Sequence, residues 1–179
     1  VVNKTIQYEK ALNVSDDWFK RAALVGDPYP SGISNVFTNQ YIENIMINHG
    51  MDDVDTDYDG SGITNFMIQQ FNEGVLYYNY RGWYYGSGSG PSDSFTNEYH
   101  WPFVTTLTCG TGDFDYGNSS SESFVKMGTV NNPKGAVAAV GVSTAGTHTA
   151  YNNIVDMGIY DGIFSKDLWY AGAATSNGH

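Results

Sequence analysis

Five short β-rich runs recur along the 179 residues of this chain, separated by segments that read as helix or loop. They cover residues 22–25, a weak acidic run around Val54, and residues 75–80, 104–108 and 136–142. Strand-sized runs alternating with helix-length segments specify an α/β sheet covered by helices. Residues 34–48 place Val36, Phe37, Tyr41, Ile45 and Met46 near helical spacing, and residues 64–72 do the same with Phe66, Met67, Ile68 and Phe71. Ser119-Ser120-Ser121-Glu122 is a helix opening, with cap-forming serines and an acid in the first turn. A last helix or pair falls in residues 154–174.

With 41% of its residues apolar or aromatic, a chain of this length can bury one sizeable core and is expected to be one domain. Eight basic residues against nineteen acidic ones leave a formal charge of −11, which argues against a phosphate-tracking nucleic-acid binder or an anionic-membrane binder. The longest nearly apolar run, residues 135–142, is far short of the roughly 20 residues a membrane span needs. The chain starts at Val1 without a signal-peptide pattern and stops at His179 after a helical-looking stretch, so it is expected to be a piece of a larger protein. Many glycines and a 15% aromatic content suit tight turns and half-wet aromatic surfaces, a profile common among extracellular proteins.

A single cysteine, Cys109, excludes an intrachain disulfide, so the thiol serves either packing or chemistry. In Val104-Thr105-Thr106-Leu107-Thr108-Cys109-Gly110-Thr111-Gly112-Asp113-Phe114 a β-rich run ends at the thiol and Gly-Thr-Gly follows. Such a thiol sits at the carboxyl end of a strand, where ligands and catalytic groups gather in open α/β sheets. Flanking glycines let a substrate backbone approach and offer main-chain N–H groups to an oxyanion.

A nucleophilic cysteine is usually served by histidine. His49 falls at a helix C-terminus, where it compensates the helix dipole. His179 ends the chain, and His100 precedes the cysteine strand at its far end. His148, after the next strand, shares the edge of Cys109 and is the best-placed base; a loop histidine bonded to neighbouring threonines is the alternative.

Four segments together resemble the catalytic subdomain of the gingipain-type cysteine peptidases: residues 18–28, Asn79-Tyr80-Arg81-Gly82, Leu107-Thr108-Cys109-Gly110-Thr111-Gly112-Asp113-Phe114, and residues 134–141. The resemblance covers most of the chain and implies a caspase-like α/β fold, a mostly parallel sheet flanked by helices on both faces. It implies that residues 1–179 are a catalytic subdomain of a larger secreted or cell-surface bacterial protein with flanking domains. It places the active cysteine on Cys109 and the oxyanion donors around Cys109, Gly82 and Gly110. The family's general-base histidine falls on Trp83, and tryptophan cannot take a proton. Two functions fit this departure: a cysteine endopeptidase of weakened activity with His148 as substitute base, or a catalytically inactive relative acting as an extracellular binding, assembly or structural module.

Trp83, Asp113 and Thr147 are candidate substrate contacts, and Asp27, Asp113 and Asp115 are candidate acids for a basic side chain. The expected partner is a polypeptide substrate or protein. Aromatic residues around the loop at residues 86–92 suit peptide or glycan surfaces or a plain sheet cap. No cofactor is required; calcium is an option through Asp53, Asp55, Asp57 and Asp59, whose alternating carboxylates offer hard oxygen ligands. Phe66 stands where a twelfth-position acid would be needed, so a solvated edge strand and turn competes with the calcium reading.

Overall fold

The computed structural model describes residues 1–10, 17–29, 32–83, 86–115 and 117–179. Among them one parallel sheet carries five strands, β1 (Arg21–Gly26), β2 (Asp53–Asp57), β3 (Tyr77–Arg81), β4 (Phe103–Thr106) and β5 (Ala138–Gly141), in the order β2-β1-β3-β4-β5. Helices α1 (Val2–Glu9), α2 (Ser34–Asn48), α3 (Ile63–Glu73), α4 (Ser120–Lys126), α5 (Thr149–Ser165) and α6 (Ala171–Gly178) complete the domain. All five expected strands are present, and the four given with bounds have ends displaced by one or two residues. The expected last helix or pair is the pair α5 and α6.

Alternation along the interior strands sorts side chains between two cores. Ala23, Val25, Tyr78, Tyr80 and Val104 face α3 and α4, where Phe71 and Phe95 stack at 4.1 Å between ring centres. Ala22, Leu24, Phe103 and Leu107 face the other way, against Ile42 and Met46 of α2 and Ile159, Tyr160 and Ile163 of α5. Asn79, Arg81 and Thr105 point to this second face and are fully buried.

That polar burial explains a departure in α2. Phe37 and Tyr41, placed by spacing on the inward stripe, are exposed, whereas Asn35 and Asn39 are buried. Asn39 Nδ2 donates to the Val25 carbonyl at 3.0 Å, and Asn35 Nδ2 donates to the Asp27 carbonyl at 3.0 Å. The inward face serves backbone oxygens and the polar side chains of β3, so aromatic residues are turned out.

Helix α1, not anticipated, is held by Lys4, whose Nζ donates to the carbonyls of Val125, Met127 and Lys134 at 2.9–3.0 Å. Burial pushes the Lys4 ammonium down to about 8. The foreseen opening of α4 is a complete capping box: the Ser119 hydroxyl accepts from Glu122 N at 3.2 Å, and the Glu122 carboxylate accepts from Ser119 N at 3.1 Å. Ser119→Ala is expected to cost about 1 kcal/mol of folding stability, measured as a lowered midpoint in urea unfolding with unchanged slope.

Candidate active site

Cys109 stands three residues beyond β4, half-exposed, in a loop stitched to the loop that follows β5. The Thr111 hydroxyl donates to the Thr108 carbonyl at 2.8 Å and to the Thr106 carbonyl, closing the turn that carries the thiol. Gly110 adopts φ 68°, which its lack of a Cβ permits, and its N–H donates to the Thr144 carbonyl at 3.0 Å. Gly112 N donates to the Val142 carbonyl at 2.9 Å. A Cβ there would lie 2.7 Å from the Gly141 carbonyl, so the Gly-Asp-Phe signature opens on glycine because two backbones touch.

The sulfur meets Thr147, the residue before the α5 N-cap. Cys109 Sγ donates to the Thr147 carbonyl at 3.8 Å and lies 3.4 Å from Thr147 Oγ1. Asn152 Nδ2 donates to that same Oγ1 at 2.9 Å, which leaves the threonine proton for the sulfur. Partial burial pushes the Cys109 thiol up, but hydrogen bonds from Thr147 and Gly146 outweigh it and hold the thiol below its ordinary value.

His148 follows Thr147 as the N-cap of α5. Its Nδ1 accepts from Ala150 N at 3.2 Å, and its ring packs 5.9 Å from that of Tyr151. The imidazole is thus placed on the helix end, beside the residue that contacts the thiol. His100 lies before β4 at the opposite edge of the sheet, its ring 5.4 Å from that of Trp18. His49 caps the C-terminus of α2, with Nδ1 2.8 Å from the Ile45 carbonyl, and His179 follows α6.

Trp83, two residues beyond β3, is 55% exposed. Its carbonyl accepts from the Tyr80 hydroxyl at 3.2 Å and from Gly86 N at 2.9 Å. Tyr84 and Tyr85 lie outside the described residues. Gly82 is required by packing, because a Cβ there would stand 2.9 Å from the Asp27 Cβ. The loop at residues 86–92 is folded back rather than open, with the Tyr78 hydroxyl donating to the Gly88 carbonyl at 2.9 Å and Ser89 buried.

Of the three candidate acids, Asp27 is buried at the end of β1 and accepts from Tyr29 N at 2.8 Å. Burial pushes its carboxyl up, and the Tyr29 amide pulls it partly back. Asp113 is half-buried and accepts from Asp115 N at 3.0 Å; Asp115 is exposed. Glu122 is spent on the α4 cap and on Lys126, 2.9 Å away.

The acidic run forms the edge strand β2 and its following turn. Asp53 and Asp55 pair with Arg21 at 3.0 and 3.6 Å, and Asp57 and Asp59 accept turn amides from Gly60 and Ser61. Among the described residues no three His, Cys, Asp or Glu side chains gather to hold a metal ion.

Beneath this surface lies a polar cluster whose members the sequence patterns did not single out for any role. Asn79 Nδ2 donates to Asn39 Oδ1 at 2.9 Å and to Asp156 Oδ2 at 2.8 Å, while Asn79 Oδ1 accepts from the Thr105 hydroxyl. Arg81, 1% exposed, donates from Nε and Nη2 to Asn153 Oδ1 at 2.9 and 2.6 Å. The signal available in the sequence was the interruption of the inward stripe of α5: Asn152, Asn153 and Asp156 precede Ile159, Tyr160 and Ile163 at helical spacing. Burial pushes the Asp156 carboxyl up to about 7, against the pull of the Arg81 charge and the Asn79 hydrogen bond.

The profile of Peptidase family C25 matches residues 1–179. Two relatives from Porphyromonas gingivalis, gingipain R2 and gingipain R1, are each 25% identical over 154 residues, or 78% of this chain. The chain spans 21% of that gingipain R2 and 15% of that gingipain R1. The crystal structure of the Arg-specific cysteine proteinase gingipain R superposes with a TM-score of 0.84 at 23% identity, covering 99% of this chain and 45% of that one. The complex of Porphyromonas gingivalis RgpB pro- and mature domains gives 0.85 at 22% identity, covering 99% and 46%. The fold is therefore the caspase-like α/β fold, with helices on both faces of the parallel sheet.

A carboxyl raised in the folded state binds its proton more tightly there than in the unfolded chain. Its contribution to stability is complete below about pH 4 and is lost as pH rises toward 7. Asp156→Asn is expected to remove this loss, so urea unfolding at pH 5 and pH 7 should show a smaller drop for the variant than for the wild type.

Proposed function

Because the chain belongs to Peptidase family C25, we propose that it is a gingipain-like cysteine endopeptidase domain whose nucleophile is the Cys109 thiolate. The observation that carries this reading is the setting of the thiol: beyond an interior strand, against Thr147 at the N-terminal end of α5, with its proton held more loosely than in an ordinary cysteine. Sγ attacks the scissile carbonyl carbon, the C–S bond forms, and the carbonyl π pair moves to oxygen. Collapse re-forms the carbonyl and breaks the C–N bond, with the departing amine taking a proton. Water then attacks the thioester, releasing the acid and restoring the thiol.

The oxyanion donors in this reading are the main-chain amides of Cys109 and Gly82; the Gly110 amide serves only if it leaves the Thr144 carbonyl. His148 is the proton carrier nearest in sequence to the sulfur's contact, and it serves by rotating off Ala150 N. Trp83, Asp113 and Thr147 border the substrate. As part of a longer bacterial protein, secreted or displayed on the cell surface, the domain acts on polypeptides. Structural calcium, if used, would be held by the carboxylates at the end of β2.

A specific observation favours a second reading, a silent domain used for binding or assembly: the His148 ring is engaged by its own helix, and the resemblance puts Trp83 where the family's base is expected. Incubation with a fluorogenic peptide library and a peptidyl chloromethyl ketone separates the two. The first reading expects cleavage and single-site labelling, both lost in Cys109→Ala, and a fall of about 10²–10³ in rate for His148→Ala. Wild-type turnover no greater than that of Cys109→Ala would leave the silent module.

A further inference from the structure

Arg81 extends from the carboxyl end of β3 into the space between the sheet and α5. Its Nη2 donates to Asn153 Oδ1 at 2.6 Å and lies 3.4 Å from both the Thr149 carbonyl and Asn35 Oδ1. Cys109 reaches the same segment from the neighbouring strand, through Thr147, and Asn152 fixes that threonine. The cation and the thiol are therefore held by residues 147–153, the pre-helical residue and first turn of one 17-residue helix. Among the described residues Arg81 Nη1 meets no acceptor, although it is buried. A buried guanidinium with an unused N–H is costly unless a negative charge lies close by.

We propose that Arg81 is a positioning residue that holds Cys109 as a thiolate, so that a buried guanidinium and the amino end of α5 do the activating work for which such enzymes use a histidine. The inference rests on Cys109 being a reactive thiol; it does not require that peptides be cleaved. Burial weakens the Arg81 charge, and both Asp156 and an ionised Cys109 restore it. Coulomb attraction is mutual, so a guanidinium on this segment adds to the hydrogen bonds from Thr147 and Gly146 that already hold the thiol down. Asp156, on the next turn of α5, competes for the same cation, and its Oδ1 has no partner among the described residues. The guanidinium thus feels both acids, while its hydrogen bonds go to Asn153, Asn35 and the Thr149 carbonyl. The ionisable groups that act on Arg81 are Asp156 of α5, Tyr80 of β3 and Cys109 itself; His148 caps the helix just after Thr147, and Asp113 and Asp115 follow the thiol in its own loop.

The test is the pH dependence of alkylation of the whole chain by iodoacetamide, with Cys109→Ala as the blank. The wild type is expected to show a midpoint below the value of about 8.5 for a free thiol. Arg81→Met should raise the midpoint by about one pH unit, a roughly tenfold loss of alkylation rate at pH 7. Arg81→Lys should restore most of the shift, and Asp156→Asn should lower the midpoint because the guanidinium loses its competitor. A folded Arg81→Met protein with the wild-type midpoint overturns the proposal, as does a midpoint that follows His148→Ala and ignores Arg81. Should Arg81→Met fail to fold, Asp156→Asn decides: a midpoint that stays or rises overturns the proposal. A low midpoint without peptide cleavage removes the peptidase reading and leaves this inference standing; cleavage without an Arg81 effect does the reverse.

Discussion

The molecule is organised around one desolvated polar layer between the sheet and helices α2 and α5. Asn79 is its hub, taking a hydroxyl from Thr105 and giving its amide protons to Asn39 and Asp156. Buried polar groups cost free energy unless paired, and in a low-dielectric interior each pairing fixes the geometry of the next. Here the pairing sets how α2 and α5 lie on β3 and β4. Apolar contacts alone would tolerate small slides of the two helices; a hydrogen-bonded asparagine between them does not.

The same layer bears upward on the candidate active site. Arg81 and Asp156 belong to it, and the start of α5, which Arg81 holds through Asn153 and the Thr149 carbonyl, follows closely on Thr147, the residue that Cys109 touches. The thiol loop is held separately by backbone contacts to the loop after β5, through Gly110 and Gly112. Cys109 therefore has two fixings, the backbone contacts of its own loop and the Thr147 contact at the sulfur.

Much of this architecture was legible from residue patterns. Interior strands buried on both faces read as short hydrophobic runs, so β1, β3 and β4 stood out, and the partly buried edge strand β5 did so through its apolar Ala-Ala-Val. The acidic β2 was weak because an edge strand need bury little. Ser119 and Glu122 announced the start of α4 because capping is local chemistry. Phe37 and Tyr41 misled, since spacing cannot tell which stripe of α2 meets polar strand residues and which meets water. Helix α1 gave no signal, because Lys4 attaches it to carbonyls more than a hundred residues away.

By itself the sequence determined the α/β class, the strand-end position of Cys109 and the family resemblance. Each of these depends on neighbours in the chain or on a motif of fixed spacing. Only the tertiary structure decided what meets the thiol and what lies near it: Thr147 at the sulfur, His148 turned onto its own helix, and Arg81 bonded to the start of α5. These residues are brought together by parallel pairing of β3, β4 and β5 and by the packing of α5 across them. No spacing along the chain records how two crossover connections align at one edge of a sheet.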